Sequence, residues 1–245
     1  MLSRLHHWSQ HLLAHLPAVL PSSCALCGVS NAHTICNGCS KQFFAPRGGS
    51  CPQCAMPHET GASERCGNCL KQVPAFDATI AAVDYGAPLD QLVVSLKFGG
   101  RLALAPMFAS MMRDALLRSP GISLPTVLAP VPLGSARLTQ RGFNQALEIA
   151  KPLSRMLGVA LEPRLAVRLR ETAAQSTLHP EQRRLNLREA FTVSETVMES
   201  LRGRHVGIVD DVMTTGATLN ELAATLKRFG AARVTNFVFA RTPLT

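Results

Sequence analysis

Beyond residue 75 the chain alternates between two patterns of hydrophobic and polar positions. Near-continuous apolar stretches with the length of buried strands are ATIAAVDY, TVLAPVPL, RHVGIVDD and RVTNFVFA. Between them lie longer segments with apolar residues on one helical face. These are LALAPMFASMMRDALLR, NQALEIAKPLSRMLG, which begins near Asn144, and TLNELAATLKRFGA, which ends at Gly230. Buried strands separated by amphipathic helices predict an α/β domain whose parallel sheet is covered on both faces.

The first 22 residues predict a short amphipathic helix that ends near Pro17. The residues that recur at helical spacing are Leu2, Leu5, Trp8 or Ser9, Leu12, Leu13 and Leu16. Packing on the protein itself is the ordinary interpretation, and packing on a partner or a membrane surface is the alternative. The segment differs from an export signal because His and Gln residues interrupt its apolar part. The chain also lacks the run of roughly eighteen apolar residues that a membrane span needs, so we expect it in the cytoplasm.

Length and composition indicate one catalytic-sized domain with a small appendage. The chain has 245 residues, of which 47% are hydrophobic and 17% charged, which is typical of neither disordered nor membrane proteins. We divide it into an N-terminal helix at residues 1–22, a cysteine-rich module at 23–74 and the parallel-sheet domain at 75–245. The formal charge of +9 favours polyanionic partners, either nucleic acid or a phosphorylated small molecule.

All eight cysteines precede residue 70 and form four CxxC pairs. Each pair directs two thiolates at one ion, and two pairs complete a tetrahedral shell around Zn²⁺. Pairing by neighbourhood assigns one ion to Cys24, Cys27, Cys36 and Cys39, and the other to Cys51, Cys54, Cys66 and Cys69. An interleaved pairing stays open. Because protein fills all four positions, both zinc ions are predicted to be structural; a disulfide framework would call for export, and redox chemistry is a third alternative.

The segment VGIVDDVMTTGATL places two adjacent carboxylates directly after an apolar strand. Ligands of parallel sheets bind beyond the carboxyl ends of the strands, so Asp210 and Asp211 are expected at the binding edge. The Thr and Gly residues that follow offer hydroxyl groups and a helix N-terminus capped by Thr218, all of which suit a phosphate. The acids would repel that phosphate unless a hydroxyl donor or a cation intervenes, and a phosphorylated sugar with Mg²⁺ supplies both. The plain alternative is an Asx turn before a capped helix.

The run IVDDVMTTGAT resembles the phosphoribosyl pyrophosphate binding motif of type I phosphoribosyltransferases. The resemblance implies that Asp210 and Asp211 hold the ribose hydroxyls of phosphoribosyl pyrophosphate. It also implies that the 5-phosphate is bound by the loop Met213, Thr214, Thr215, Gly216, Ala217 and Thr218.

Further segments narrow this resemblance to one family. VPLGSARLTQRGFNQA, LKFGGR and RLRETAAQSTLHPEQRRLNLREAF, together with the four CxxC pairs, resemble the ComF family of competence-associated proteins. The likeness runs from Cys24 to Thr242. It implies a double zinc ribbon joined to a type I phosphoribosyltransferase-like domain. It also implies a part in handling incoming single-stranded DNA, with a competence helicase as a partner.

Position within this fold class adds further candidates for the site. Arg137, with Arg141 close by in sequence, follows the strand after which type I enzymes bind the leaving pyrophosphate. The segment before AFTV lies where this fold class carries a mobile lid, so Arg168, Arg170, Thr172 and Gln175 are candidates to close over the ribosyl centre. The plain alternatives are solvated surface arginines in the first case and an ordinary charged helix and loop in the second.

Three more residues have two interpretations each. Lys97, from the segment at residues 85–105, either lines the site or lies on the surface with its alkyl stem covered. His179 and His205 are single histidines without an identifiable partner in the sequence, and we interpret both as structural.

The sequence is compatible with two functions. One is an enzyme that transfers a phosphoribosyl group to an unidentified nitrogenous acceptor, with Asp210, Asp211, Arg137, Arg168 and Arg170 as the catalytic set. The other is a non-catalytic adaptor that senses a phosphosugar or binds single-stranded DNA. Fold alone does not separate the two.

Overall fold

The computed structural model describes residues 22–57, 64–119, 121–169 and 190–243. The predicted N-terminal helix lies outside these residues, as do the lid candidates Arg170, Thr172 and Gln175, and also His179. Contacts divide the chain into two compact units, one ending at Ala45 and the other beginning at Pro46. Within the described ranges, no helix combines the length and hydropathy that a membrane span requires.

The elements follow one another in an alternating order. The strands are β1 (Ser22–Ser23), β2 (Ser30–Asn31), β3 (Ala78–Asp84), β4 (Val127–Pro130), β5 (Ala160–Leu161), β6 (Ala166–Arg168), β7 (Phe191–Val193), β8 (His205–Met213) and β9 (Arg233–Arg241). The α-helices are α1 (Asn37–Phe43), α2 (Gly67–Lys71), α3 (Leu89–Lys97), α4 (Ala105–Leu117), α5 (Ser135–Arg141), α6 (Gln145–Leu157), α7 (Met198–Leu201) and α8 (Ala217–Arg228). Short 3₁₀ turns cover Leu102–Leu104 and Glu195–Val197.

A five-stranded sheet in the order β3-β9-β8-β4-β5 forms the centre of the larger unit. Every neighbouring pair in it is parallel, which confirms the predicted α/β class. After β4 the chain forms β5 on one side, and it later returns as β8 on the other side of β4. Such a reversal opens a crevice at the carboxyl ends of the two central strands, where ligands of open α/β sheets bind.

Helices cover this sheet through apolar faces of the predicted kind. The ring of Phe108 in α4 stacks on that of Phe239 in β9, with centroids 3.6 Å apart. Helix α6 begins close to the predicted point, because the Asn144 side chain accepts a hydrogen bond from the Ala146 amide at 3.0 Å. Strand β8 packs so tightly that a Cβ atom on Gly207 would lie 2.5 Å from Leu128 Cδ2.

One helix start differs from the sequence prediction. Helix α8 begins at Ala217 with Gly216 as its N-cap, so Thr218 lies inside the first turn and does not cap the helix. Gly216 has a φ of +82°, a left-handed conformation that glycine adopts without strain. The chain therefore enters the helix through a glycine turn.

Candidate functional site

A cleft of about 310 Å³ opens at the carboxyl ends of β4 and β8. It brings together the described residues that the sequence assigned to the phosphosugar site, namely Lys97, Arg137, Arg168, Asp210, Asp211, Met213, Thr214, Thr215, Gly216, Ala217 and Thr218. Segments that are distant in sequence converge here because parallel strands end at one edge of the sheet.

The acid pair forms the floor of this cleft. Asp210 is half-buried and its Oδ1 accepts a hydrogen bond from the Asp211 amide at 2.9 Å. Asp211 is only 2% exposed, and its Oδ2 lies 2.7 Å from Lys97 Nζ. Although Asp211 is buried and ion-paired, both residues belong to the lining of the cleft.

The surroundings of Asp210 disfavour its charge. Burial is the largest cause that raises the pKa of Asp210 well above its ordinary value, and the charge of Asp211 adds to it. Lys97 acts in the opposite direction. A bound divalent cation would favour the ionised form of both carboxyl groups, and carboxylate oxygens are the ligands that Mg²⁺ prefers. The donor set therefore fits this cation.

The loop at residues 213–218 forms one wall of the cleft. Thr214 and Thr215 are exposed, and the Ala217 amide donates to Thr215 Oγ1 at 3.3 Å. Met213 is buried under the turn, where a Cβ on Gly216 would lie 2.5 Å from its Cε. The amides at the start of α8 and the helix dipole together attract an anion.

Arginines reach the cleft from two other elements. Arg137 lies on α5, which follows the carboxyl end of β4. Arg168 ends β6, and its guanidinium group lies 5.3 Å from the ring centroid of Phe191. Arg141 donates to Gln145 Oε1 at 2.5 Å and lies over the ring of Phe98. These cations surround the space beside the acid pair, where they would neutralise phosphate groups.

Two polar residues of this cleft were not predicted from the sequence, Tyr85 and Gln145. Tyr85 directly follows β3, so the rule that led to Asp210 would also have indicated it. Gln145 opens α6 and is buried, and the sequence offers no comparable signal for it.

His205 lies at the start of β8, the end of the strand opposite Asp210 and Asp211. Its Nε2 lies 2.8 Å from Thr235 Oγ1, and burial lowers its pKa, with the charge of Arg233 adding to that effect.

The eight cysteines form two separate four-sulfur clusters. Within each cluster all Sγ atoms lie within 4.8 Å of one another. The clusters are Cys24, Cys27, Cys36 and Cys39 in the smaller unit, and Cys51, Cys54, Cys66 and Cys69 in the larger one. The first two CxxC pairs are thus grouped together, as are the last two.

Sulfur geometry in both clusters fits tetrahedral zinc. A Zn–S distance of about 2.3 Å gives sulfur–sulfur edges of roughly 3.8 Å. Cys27 and Cys36 sulfurs lie 3.7 Å apart, and those of Cys54 and Cys66 lie 3.6 Å apart. Backbone amides also donate to sulfur, as from Cys66 to Cys51 Sγ at 3.3 Å.

The pKa values of the thiols also favour a bound cation. Burial opposes ionisation of Cys24, but donation from backbone amides outweighs it and lowers the pKa to about 6. Burial and the neighbouring thiols raise the pKa of Cys39 to about 12. Since four crowded thiols cannot all ionise unaided, the full thiolate set calls for a cation.

Known proteins resemble this chain along most of its length. Residues 144–243 match the phosphoribosyl transferase domain family, and residues 15–70 match the double zinc ribbon domain family. The DNA utilization protein YhgH of Salmonella typhimurium is 38% identical over 229 residues, which cover 91% of this chain and 98% of that protein. Competence protein F of Haemophilus influenzae is 34% identical over 212 residues, covering 84% of this chain and 90% of that protein.

A solved structure is similar over a shorter region. The purine phosphoribosyltransferase from Pyrococcus horikoshii is 19% identical, with a TM-score of 0.30, over 57% of this chain and 72% of that chain.

Proposed function

Because the chain belongs to the ComF family, we propose that its larger unit binds phosphoribosyl pyrophosphate together with Mg²⁺ in the cleft beyond β4 and β8. The observation that carries this proposal is that the acid pair and the glycine-turn loop line one cleft. Asp210 and Asp211 would hold the ribose hydroxyls and the cation, and the loop at residues 213–218 would hold the 5-phosphate. Arg137 and Arg168 would bind the pyrophosphate.

Transfer chemistry follows from this arrangement of charges. A nitrogen nucleophile attacks the anomeric carbon of the ribose, and the bond from that carbon to pyrophosphate breaks, so that pyrophosphate leaves with the electron pair. When bound, Mg²⁺ supplies charge neutralisation for the departing phosphates. Arg137 and Arg168 add positive charge beside the leaving group, and the buried Asp211 stabilises the positive charge that develops on the sugar.

A binding role without catalysis is the second candidate. Among the described residues that line the cleft there is no histidine, the commonest general base, although Asp210 and Tyr85 are of types that can serve as one. In this second candidate function the protein binds the phosphosugar as a sensor and catalyses no reaction.

Calorimetric titration of phosphoribosyl pyrophosphate with and without Mg²⁺ tests the binding proposal. We expect Mg²⁺-dependent binding in the wild type and its loss when Asp210→Asn and Asp211→Asn are combined. Asp114→Asn is the matched control, because Asp114 pairs with Arg113 on the surface of α4 and does not line the cleft. Unchanged affinity in the double variant would refute the site. Pyrophosphate release across a panel of bases and amines then separates the enzyme from the sensor.

We further propose that the protein acts in the use of external DNA, in the cytoplasm. Support comes from the names of its relatives, DNA utilization protein and Competence protein F, and from its formal charge of +9. None of the eight cysteines forms a disulfide, which suits a reducing compartment. Single-stranded DNA and a competence helicase are the expected partners. Fluorescence anisotropy of labelled single-stranded DNA, repeated at rising salt, tests the first of these, and strong binding should weaken steeply with salt.

A further inference from the structure

Arg241 occupies an unusual position between the cleft and the second cysteine cluster. It ends β9, and although arginine is almost never fully buried, this side chain is only 2% exposed. Burying a guanidinium group is unfavourable unless its donors are satisfied. The contacts that satisfy it therefore indicate what the residue does.

Its hydrogen bonds join three backbone segments. Nε donates to the carbonyl oxygen of Cys54 at 2.9 Å. Nη1 donates to the carbonyl oxygens of Met213 at 3.1 Å, of Thr214, and of Thr242 at 2.7 Å. Cys54 belongs to the second cluster, whereas Met213 and Thr214 begin the loop at residues 213–218. One planar side chain thus connects a cysteine turn to the loop.

These contacts fix the direction of amides in the loop. In a trans peptide the C=O and N–H groups point in opposite directions. Because the Met213 and Thr214 carbonyls face Arg241, the N–H groups of Thr214 and Thr215 face away from it. Both threonines are exposed and line the cleft. The Met213 carbonyl also accepts from the Thr242 amide at 3.0 Å, so Arg241 shares the orientation of the Thr214 amide with the sheet. Through the Thr214 carbonyl, Arg241 orients the Thr215 amide, a donor that an anion would use.

The cysteine turn at the other end of Arg241 is held firmly to the sheet. Gln53 donates through Nε2 to the Phe76 carbonyl at 3.0 Å, and Thr79 Oγ1 donates to the Gln53 carbonyl at 2.7 Å. Cys51, Cys54 and Cys69 pack in the same hydrophobic core as β8 and α8. Because the turn is held in this way, a shift of its backbone would also displace the Cys54 carbonyl that Arg241 contacts.

Electrostatic attraction also favours the contact between Arg241 and the second cysteine cluster. Four thiolates around Zn²⁺ carry a net charge of −2, and outer groups that donate toward such a shell stabilise it. Arg241 lies on one side of the turn, and Arg47 donates to the Ala55 carbonyl at 2.8 Å. Two guanidinium groups thus lie against the backbone of this cluster.

We propose that Arg241 is a positioning residue through which zinc binding at the second cluster and phosphoribosyl pyrophosphate binding in the cleft strengthen each other. The coupling rests on the proposed function, and by thermodynamic linkage it is reciprocal. The first cluster has no part in it and serves as an internal control.

Hydrogen exchange of the loop amides tests the structural half of this proposal without phosphoribosyl pyrophosphate. We compare the full chain with Cys69→Ser, which disrupts the second cluster, and Cys39→Ser, which disrupts the first. Exchange at residues 214–216 should accelerate in Cys69→Ser and stay unchanged in Cys39→Ser. Equal protection in all three proteins overturns the proposal, whether or not the phosphosugar binds.

Zinc release from the wild-type protein tests the reciprocal half. A chromogenic chelator selective for zinc over magnesium should remove the two ions in two phases, and saturating Mg²⁺-phosphoribosyl pyrophosphate should slow one phase about tenfold. Cys39→Ser should keep the slowed phase. Release that is unaffected by a ligand which calorimetry shows to be bound overturns the coupling alone, whereas absence of calorimetric binding refutes the proposed function and the coupling that rests on it.

Arg241→Lys supplies the residue-level test, because lysine keeps the charge and loses the planar fork. We expect this variant to retain two zinc ions per chain, to bind the phosphosugar about tenfold more weakly, and to release zinc at a rate that the phosphosugar no longer alters. If the variant kept the wild-type affinity for the phosphosugar and the wild-type slowing of zinc release, Arg241 would contribute to stability alone and the proposal would be overturned.

Discussion

Lys97 Nζ lies 2.7 Å from Asp211 Oδ2, where the last residue of α3 meets the carboxyl end of β8. The carboxylate is almost fully buried, and the ammonium group lies in the cleft wall. Desolvation makes such a carboxylate depend on its counter-ion. Lys97 therefore stabilises the charge of Asp211 before any ligand is considered.

Lys97→Met should destabilise the protein through this ion pair. Methionine keeps most of the apolar stem but leaves the Asp211 carboxylate buried without its cation. We expect the free energy of unfolding in urea to fall by about 3 kcal/mol, as for other buried pairs that lose one partner.

Lys227→Met is the matched control for that change. Lys227 pairs with Asp77 at a similar distance, 2.8 Å, but both side chains are about a third exposed. Water screens this pair, so its loss should lower the free energy of unfolding by less than about 1 kcal/mol. Equal losses in the two variants would contradict the importance of burial at Asp211.

The raised pKa of Asp210 predicts a dependence of both stability and binding on pH. Burial and Asp211 make the folded chain retain this proton above the ordinary Asp pKa of 3.8. The resulting stabilisation is fully present below that value, and it is lost as pH rises through the raised pKa. The affinity for the proposed ligand should depend on pH in the opposite direction, because the proposed contacts with the cation and the ribose need the ionised carboxylate.

Affinity for Mg²⁺-phosphoribosyl pyrophosphate should therefore increase with pH, by up to about tenfold per pH unit below the raised pKa. Calorimetry in buffers of different ionisation enthalpy measures the proton released on binding. Asp210→Asn should lose that proton release, and the titration of the ligand's own phosphates remains as background. Identical proton release in wild type and variant would show that Asp210 binds its ligand already ionised.

Gly216→Ala should weaken phosphate binding more than it weakens the fold. At φ +82° an alanine is strained by about 1–3 kcal/mol, which favours a different backbone conformation of the loop. Its Cβ would also lie 2.5 Å from Met213 Cε, so the end of that side chain must move. Gly230→Ala is the control, since Gly230 follows the other end of α8 with φ +102° and does not line the cleft. Both variants should melt earlier, but only Gly216→Ala should reduce affinity in the titration.

Loss of one metal site should have unequal effects in the two units. Cys69 is buried within the core of the larger unit, whereas Cys39 lies in the smaller one. We expect two zinc ions per wild-type chain by elemental analysis, and one in either Cys39→Ser or Cys69→Ser. Cys69→Ser should lower the main melting temperature in calorimetry and Cys39→Ser should leave it in place; a metal-free folded preparation would contradict both expectations.

Much of this architecture follows from local patterns in the sequence. The apolar strands around Val127 and Val206 were predictable because burial on both sides of a parallel sheet demands continuous apolar runs. Asp210 and Asp211 were predictable as cleft residues because a strand must deliver whatever follows it to the sheet edge. The start of α6 could be predicted because Asn144 has the chemistry of an N-cap.

Other features depend on contacts between distant segments and leave no local pattern. Helix α3 was not predicted, although the segment that contains it was indicated through Lys97. Arg241 resembles a polar residue at the end of a strand, and only the convergence of residues 54, 213 and 214 explains its burial. Thr218 was wrongly predicted as a cap because the left-handed turn at Gly216 already starts the helix two residues earlier.

The Pro52 carbonyl accepts a hydrogen bond from the Thr79 amide at 3.3 Å, and Thr79 belongs to β3, the outermost strand of the sheet. An unprotected edge strand is a template on which other chains can add strands and aggregate. The metal-binding turn therefore covers part of this edge. Loss of zinc from the second cluster should uncover that part of the edge and favour aggregation of the protein.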